Sequence, residues 1–129
     1  MRKSVSCGNS LQPVEGTFRF DNADRIVNFA QSNRMLVYGH TLCWHNQVPD
    51  SIFKDGSVTA TKALVLERLR THIKTVMTHY KDKTYGFDVV NEAIDDGLSE
   101  NHTWLDNFPV AERKNYPLLF DINLIPKQA

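Results

Sequence analysis

The strongest constraint on the fold is a strand–helix–strand pattern across residues 35–90. Met35-Leu36-Val37-Tyr38 is a short apolar run closing at Gly39, which suits a buried parallel strand. From about Thr59 or Thr61 to Tyr80, an apolar stripe recurs at helical spacing through Leu66, Leu69, Ile73, Val76, Met77 and Tyr80. Glu67, Arg68, Arg70, Lys74 and Thr78 fall mostly off that stripe. Lys81-Asp82-Lys83 ends the helix, and Tyr85 to Val90 reads as a second strand that closes on Asn91-Glu92. Such a βαβ unit has a right-handed crossover. Upstream, Asp21 is placed to cap a helix bearing Ala23, Ile26, Val27 and Ala30, with Asn33 as its stop. Ser4 to Gly16, with Pro13 and Gly16, reads as a strand end plus a loop.

This order has a chemical consequence. Parallel strands point the same way, so His40 after the first and Glu92 after the second emerge at the carboxyl edge, where α/β proteins place their sites. His40 to Phe53 reads as a loop carrying His40, Trp44, His45, Asn46, Gln47 and Pro49, and Asp55-Gly56 marks a turn. Glu92 directly follows an apolar strand. Desolvation there raises a carboxyl pKa and suits the group to general acid work. The same residue could equally be a buried, hydrogen-bonded carboxylate that stabilises the loop. An aromatic plate at Trp44, with hydrogen bonders at His40, Gln47 and Asn91, matches a sugar ring's apolar face and hydroxyl rim.

Composition narrows the partners. The 129 residues make one domain, with 15 basic against 15 acidic side chains and no basic block. Nucleic acid and anionic membrane are therefore poor candidate partners, and none is expected. No run approaches the roughly 18 apolar residues of a membrane span. Met1-Arg2-Lys3-Ser4 is basic, but no apolar stretch follows it, so no signal peptide is read. Cys7 and Cys43 read as unpaired thiols, because no dense cysteine framework exists. His40, Cys43 and His45 lack a recognised ligand spacing, so neither a metal nor a cofactor is expected. His72 and His79 read as surface or packing residues.

Gly39-His40-Thr41-Leu42-Cys43-Trp44-His45-Asn46-Gln47 closely resembles the G-H-T-L-x-W-H-x-Q segment of glycoside hydrolase family 10, the endo-1,4-β-xylanases. Phe87-Asp88-Val89-Val90-Asn91-Glu92-Ala93 resembles that family's D-V-V-N-E-A, in the same order and spacing. Gly16-Thr17-Phe18-Arg19-Phe20-Asp21-Asn22-Ala23-Asp24 is similar to its G-x-F-x-F-x-x-A-D. Pro117-Leu118-Leu119-Phe120-Asp121 and Pro126-Lys127 are similar to its closing segments.

The resemblance implies a partial (β/α)₈ barrel: an α/β half-barrel fragment, since a whole barrel takes about 250 residues. It implies one domain over residues 1–129 with an internal deletion near 96–98, beyond which Leu98 to Trp104 resembles the loop after the eighth strand. It implies that Glu92 is the acid/base and that Asn91, His40, Trp44 and Gln47 contact sugar. Asn9 and Gln12 align with the asparagine and lysine of the family's N-x-M-K, and Trp104 with a tryptophan of the cleft. The family's T-E-L-D-like nucleophile segment has no counterpart here; Asp95, Asp96 and Glu100 are the nearest carboxylates. The implied ligand is xylan or a xylo-oligosaccharide, and the implied location is secreted or periplasmic. A non-catalytic xylan-binding module is the alternative. Open barrel edges imply self-association.

Overall fold

The computed structural model describes residues 3–5, 11–44 and 47–91. Three strands, β1 (Lys3–Val5), β2 (Val37–Trp44) and β5 (Gly86–Asn91), form a parallel sheet in the order β1-β2-β5. Helix α1 (Asp21–Ser32) connects β1 to β2, and α2 (Lys62–His79) connects β2 to β5. Successive strands of this sheet are therefore adjacent in space, each pair joined through a helix. The described residues form an open segment of a β/α barrel rather than a closed one. A 3₁₀ turn (Asp50–Phe53) and a small hairpin, β3 (Lys54–Asp55) with β4 (Val58–Thr59), lie between β2 and α2. Gly56, at φ +61°, makes the hairpin turn that Asp55-Gly56 announces. None of the described helices is long and apolar enough to cross a membrane.

Both helices bury one stripe against β2. From α1 come Ala23, Val27 and Ala30, and from α2 come Leu69, Ile73 and Val76. Val37, Leu42 and Cys43 of β2 meet them, together with Leu11 and Tyr80. The expected stripe of α2 holds at Leu69, Ile73, Val76 and Tyr80, while Leu66 and Met77 pack at its margin. Val65 and His72 are buried as well. Thr61 caps α2, its side chain accepting a hydrogen bond from Leu64 N at 3.3 Å.

Three local expectations are corrected. Asp21 is the first residue of α1 and not its cap; with Asp24 it places negative charge on the helix's positive end. The first apolar strand does not occupy 35–38. Leu36 is 71 % exposed, and β2 runs from Val37 through Trp44, across residues expected to be loop. His40 accordingly lies inside the strand, paired with Asp88 of β5, rather than after its end.

Gly39 explains the second misreading. It pairs with Phe87 across the ladder, and a Cβ on it would stand 2.0 Å from the Phe87 ring. A glycine that looks like a strand terminator is instead the space into which a neighbouring aromatic packs.

Candidate functional site

The candidate site is built on β2 and β5. Along β2, Val37 and Gly39 are buried while Tyr38 and His40 are partly exposed. Alternation thus puts Tyr38 and His40 on the face away from the helices. Asp88 meets both there. The Tyr38 hydroxyl donates to Asp88 Oδ1 at 2.7 Å, and His40 Nδ1 lies 2.8 Å from Asp88 Oδ2. The hydrogen bond from Tyr38, then that from His40, holds the Asp88 carboxyl below its usual range. The same carboxylate pushes the Tyr38 hydroxyl up. A carboxylate only accepts, so Nδ1–H of His40 is the donor; this sets the ring's orientation and leaves Nε2 as its second polar atom. Thr41 Oγ1 donates to the Asp88 carbonyl at 2.9 Å, tying the strands a second time.

The ladder shifts register between His40 and Cys43 and then resumes, pairing Cys43 with Val90 and Trp44 with Asn91. Trp44 and Asn91 are thereby neighbours at the carboxyl ends of adjacent parallel strands. The Trp44 ring is 6.4 Å from the His40 ring at a 48° tilt. His40, Trp44 and Asn91 are brought together on one sheet edge. Gln47, half-buried, follows three residues after the end of β2. Asn9, Glu92 and Trp104 lie outside the described residues, as do Cys7 and His45.

Gln12 is turned toward α2. Its carbonyl oxygen is 2.7 Å from Nδ1 of the buried His72. Burial pushes the His72 pKa down to about 4, against a smaller opposite pull from the Leu42 carbonyl. Gln12 and His72 help line a cavity of about 40 Å³ between α2, the end of β2 and the segment after it, bordered also by Cys43 and Trp44. Cys43 is a free, buried thiol, pushed up to about 12 by burial. His79 does pack: it stacks on Phe20 at 3.8 Å and bonds Asp24 at 2.8 Å. Among the described residues no group of three or more His, Cys, Asp or Glu could hold a metal ion.

Sequence reasoning named neither Tyr38 nor Asp88 as site residues, although both stand at strand positions with the parity of His40. It also set Arg68 aside as a residue off the helical stripe. Arg68 in fact lies only 12 % exposed and pairs with Glu15 through two contacts, Nε to Oε1 at 2.7 Å and Nη2 to Oε2 at 2.6 Å.

A parallel β/α segment with an aromatic, an imidazole and an amide together at its carboxyl edge defines a fragment of a β/α barrel whose strand ends face the site. Residues 5–99 match the sequence model of Glycosyl hydrolase family 10, and the chain belongs to that family. It is 53 % identical over 106 residues to Exoglucanase XynX of Acetivibrio thermocellus, covering 74 % of this chain and 10 % of that protein. It is 52 % identical over 106 residues to Endo-1,4-beta-xylanase A of Thermoanaerobacterium saccharolyticum, covering 74 % of this chain and 9 % of the relative. Among solved structures, it resembles the intracellular xylanase TsXylA of Thermoanaerobacterium saccharolyticum in complex with xylotriose. The TM-score is 0.72 at 40 % identity, over 97 % of this chain and 43 % of that one. The endo-1,4-beta-xylanase of Caldicellulosiruptor owensensis gives a TM-score of 0.74 at 36 % identity, over 90 % of this chain and 37 % of that one. The chain thus spans about a tenth of the first curated relatives and about four-tenths of the solved ones.

Proposed function

We propose that this chain forms a sugar-binding half-cleft of a family 10 enzyme, with xylan or a xylo-oligosaccharide as its ligand and weak hydrolysis. The observation that carries the reading is the pairing of Trp44 with Asn91 at the carboxyl edge, beside the Asp88-oriented His40. An aromatic face flanked by an amide and a fixed imidazole binds a pyranose by its C–H face and its hydroxyls. Gln47 follows on the same connection, and Asn9, Gln12 and Trp104 complete the proposed contacts.

Glu92, next after Asn91, would be the acid/base. Retaining hydrolysis needs a second carboxyl about 5–5.5 Å away as the nucleophile. The 129 residues contain no T-E-L-D-like segment to supply it. General acid catalysis by itself contributes about 10²–10⁴-fold, short of the roughly 10⁶-fold or more of complete enzymes. The missing segment also favours the second reading, a xylan-binding module without turnover. Reducing-sugar release from xylan by the wild type beside Glu92→Gln separates the two. Slow release abolished by the substitution supports a weak hydrolase, no release from either supports the binding module, and fast release would refute the account of the nucleophile.

The family resemblance favours a secreted or periplasmic location, but TsXylA is intracellular, so family membership does not fix the compartment. Self-association through the outer strands of the sheet is tested by sedimentation, where a compact monomer at high micromolar concentration would count against it.

A further inference from the structure

We propose that Arg68 is a positioning residue for the sugar-contacting wall, acting as a clamp that locks the segment after β2 beneath Trp44. The inference rests on the reading of that edge as a sugar site.

All parts of the guanidinium are engaged. Nε and Nη2 grip the Glu15 carboxylate, while Nη1 donates to the carbonyls of Ser51 at 3.1 Å, Ile52 at 3.1 Å and Lys54 at 2.8 Å. Glu15 belongs to the segment after β1, and the three carbonyls belong to the 3₁₀ turn and hairpin after β2. One side chain of α2 therefore joins two successive connections on the carboxyl side of the sheet. The 3₁₀ turn ends with carbonyls that its own backbone leaves without intrahelical partners, and an arginine fork is suited to satisfy several at once. Glu15 neutralises and aims the fork, and its bidentate geometry fixes the angle.

The link to the site runs through the cavity. Trp44, Val48, Pro49, Ser51, Ile52 and Arg68 are all among its lining residues. The segment that Arg68 holds by Ser51 and Ile52 thus shares the cavity wall with Trp44, and Gln47 lies on the same connection. With the clamp gone, Trp44 and Gln47 must be re-ordered each time sugar binds, and that ordering is paid out of affinity.

The test compares Arg68→Ala, Arg68→Lys and a remote core control, Ile73→Val, well below the unfolding midpoint of each. In a Trp104→Phe background, acrylamide quenching reports on Trp44 alone, without sugar. Retention on insoluble xylan is measured with Trp104 intact. Arg68→Ala should make Trp44 more quenchable and weaken retention about tenfold, the scale of immobilising one or two side chains. Arg68→Lys, which keeps the charge but not the fork, should fall between, and should carry the test if the alanine variant does not fold. Ile73→Val should match the wild type in both readouts despite a lower midpoint. Arg68 variants no more quenchable than Ile73→Val would overturn the proposal. A wild type that is not retained on xylan refutes the sugar-site reading, while the quenching comparison still decides the clamp.

Discussion

His40 and Asp88 stand 48 residues apart in sequence and 2.8 Å apart across the parallel ladder, imidazole Nδ1 to carboxylate Oδ2. The Tyr38 hydroxyl takes the other carboxylate oxygen. Asp88 therefore has to remain ionised for the imidazole to stay oriented. Its folded pKa is depressed below the usual 3.8, so the unfolded chain binds its proton first as pH falls. The stability it contributes is full above the unfolded value and is lost as pH falls through the folded one. Asp88→Asn should flatten the acid limb of thermal stability below about pH 4. It should also weaken retention on xylan at neutral pH. Melts recorded from pH 2 to 7 check the first outcome, and an acid limb unchanged by the substitution would refute it.

His72 produces a second, higher-lying acid dependence. Its pKa falls from 6.5 unfolded to about 4 folded because burial disfavours the imidazolium. The unfolded chain binds the proton first between these values, so stability falls as pH drops from about 6.5 to about 4. A shift of roughly 2.5 units corresponds to about 3 kcal/mol lost across the window. Chemical denaturation of the wild type and His72→Gln at pH 7, 5.5 and 4 measures it. The variant should start less stable and lose less on acidification.

Gly39 should not accept a side chain. Gly39→Ala sets a methyl against the Phe87 ring and should cost about 1–3 kcal/mol, the usual range for overpacking. In a double-mutant cycle with Phe87→Ala the penalties should be strongly non-additive, because the second change removes the obstacle to the first. Additive losses would show that the close approach is not what Gly39 provides.

Trp44 and Glu92 should separate binding from chemistry. Trp44→Ala removes the aromatic face and should lower retention on insoluble xylan by about tenfold, equivalent to about 1.4 kcal/mol. Glu92→Gln keeps shape and hydrogen-bonding capacity and should leave retention near wild type. Equal losses from both variants would argue against an aromatic platform.

Cys43 should be inert while the chain is folded. Its thiol is buried and pushed up to about 12, so almost no thiolate exists near neutral pH. In a Cys7→Ser background, a thiol reagent at pH 8 should register nothing until denaturant is added. Rapid labelling of the native protein would contradict the burial.

Much of the fold was legible in the sequence because its signals are local. The stripe of α2 and its end at Tyr80, the stop of α1 at Asn33, the strand through Val90 and the turn at Asp55-Gly56 each follow from periodicity or turn chemistry within a few residues. Trp44 and Asn91 could be assigned to one edge because parallel strands share a direction. The tertiary structure decided what depends on which residues meet. Gly39 reads as a strand end until Phe87 is seen in the space above it. Asp88 reads as a strand residue until the register sets it against His40 and Tyr38. Gln12 aligns with a sugar-contacting position in the sequence, but only the fold shows that its carbonyl oxygen also meets His72 of α2. Arg68 reads only as a residue off the apolar stripe until two distant connections fold around it. Periodicity reports which face of an element avoids water, whereas these partnerships arise from strand register and chain closure, which bring together residues whose separation carries no local signal.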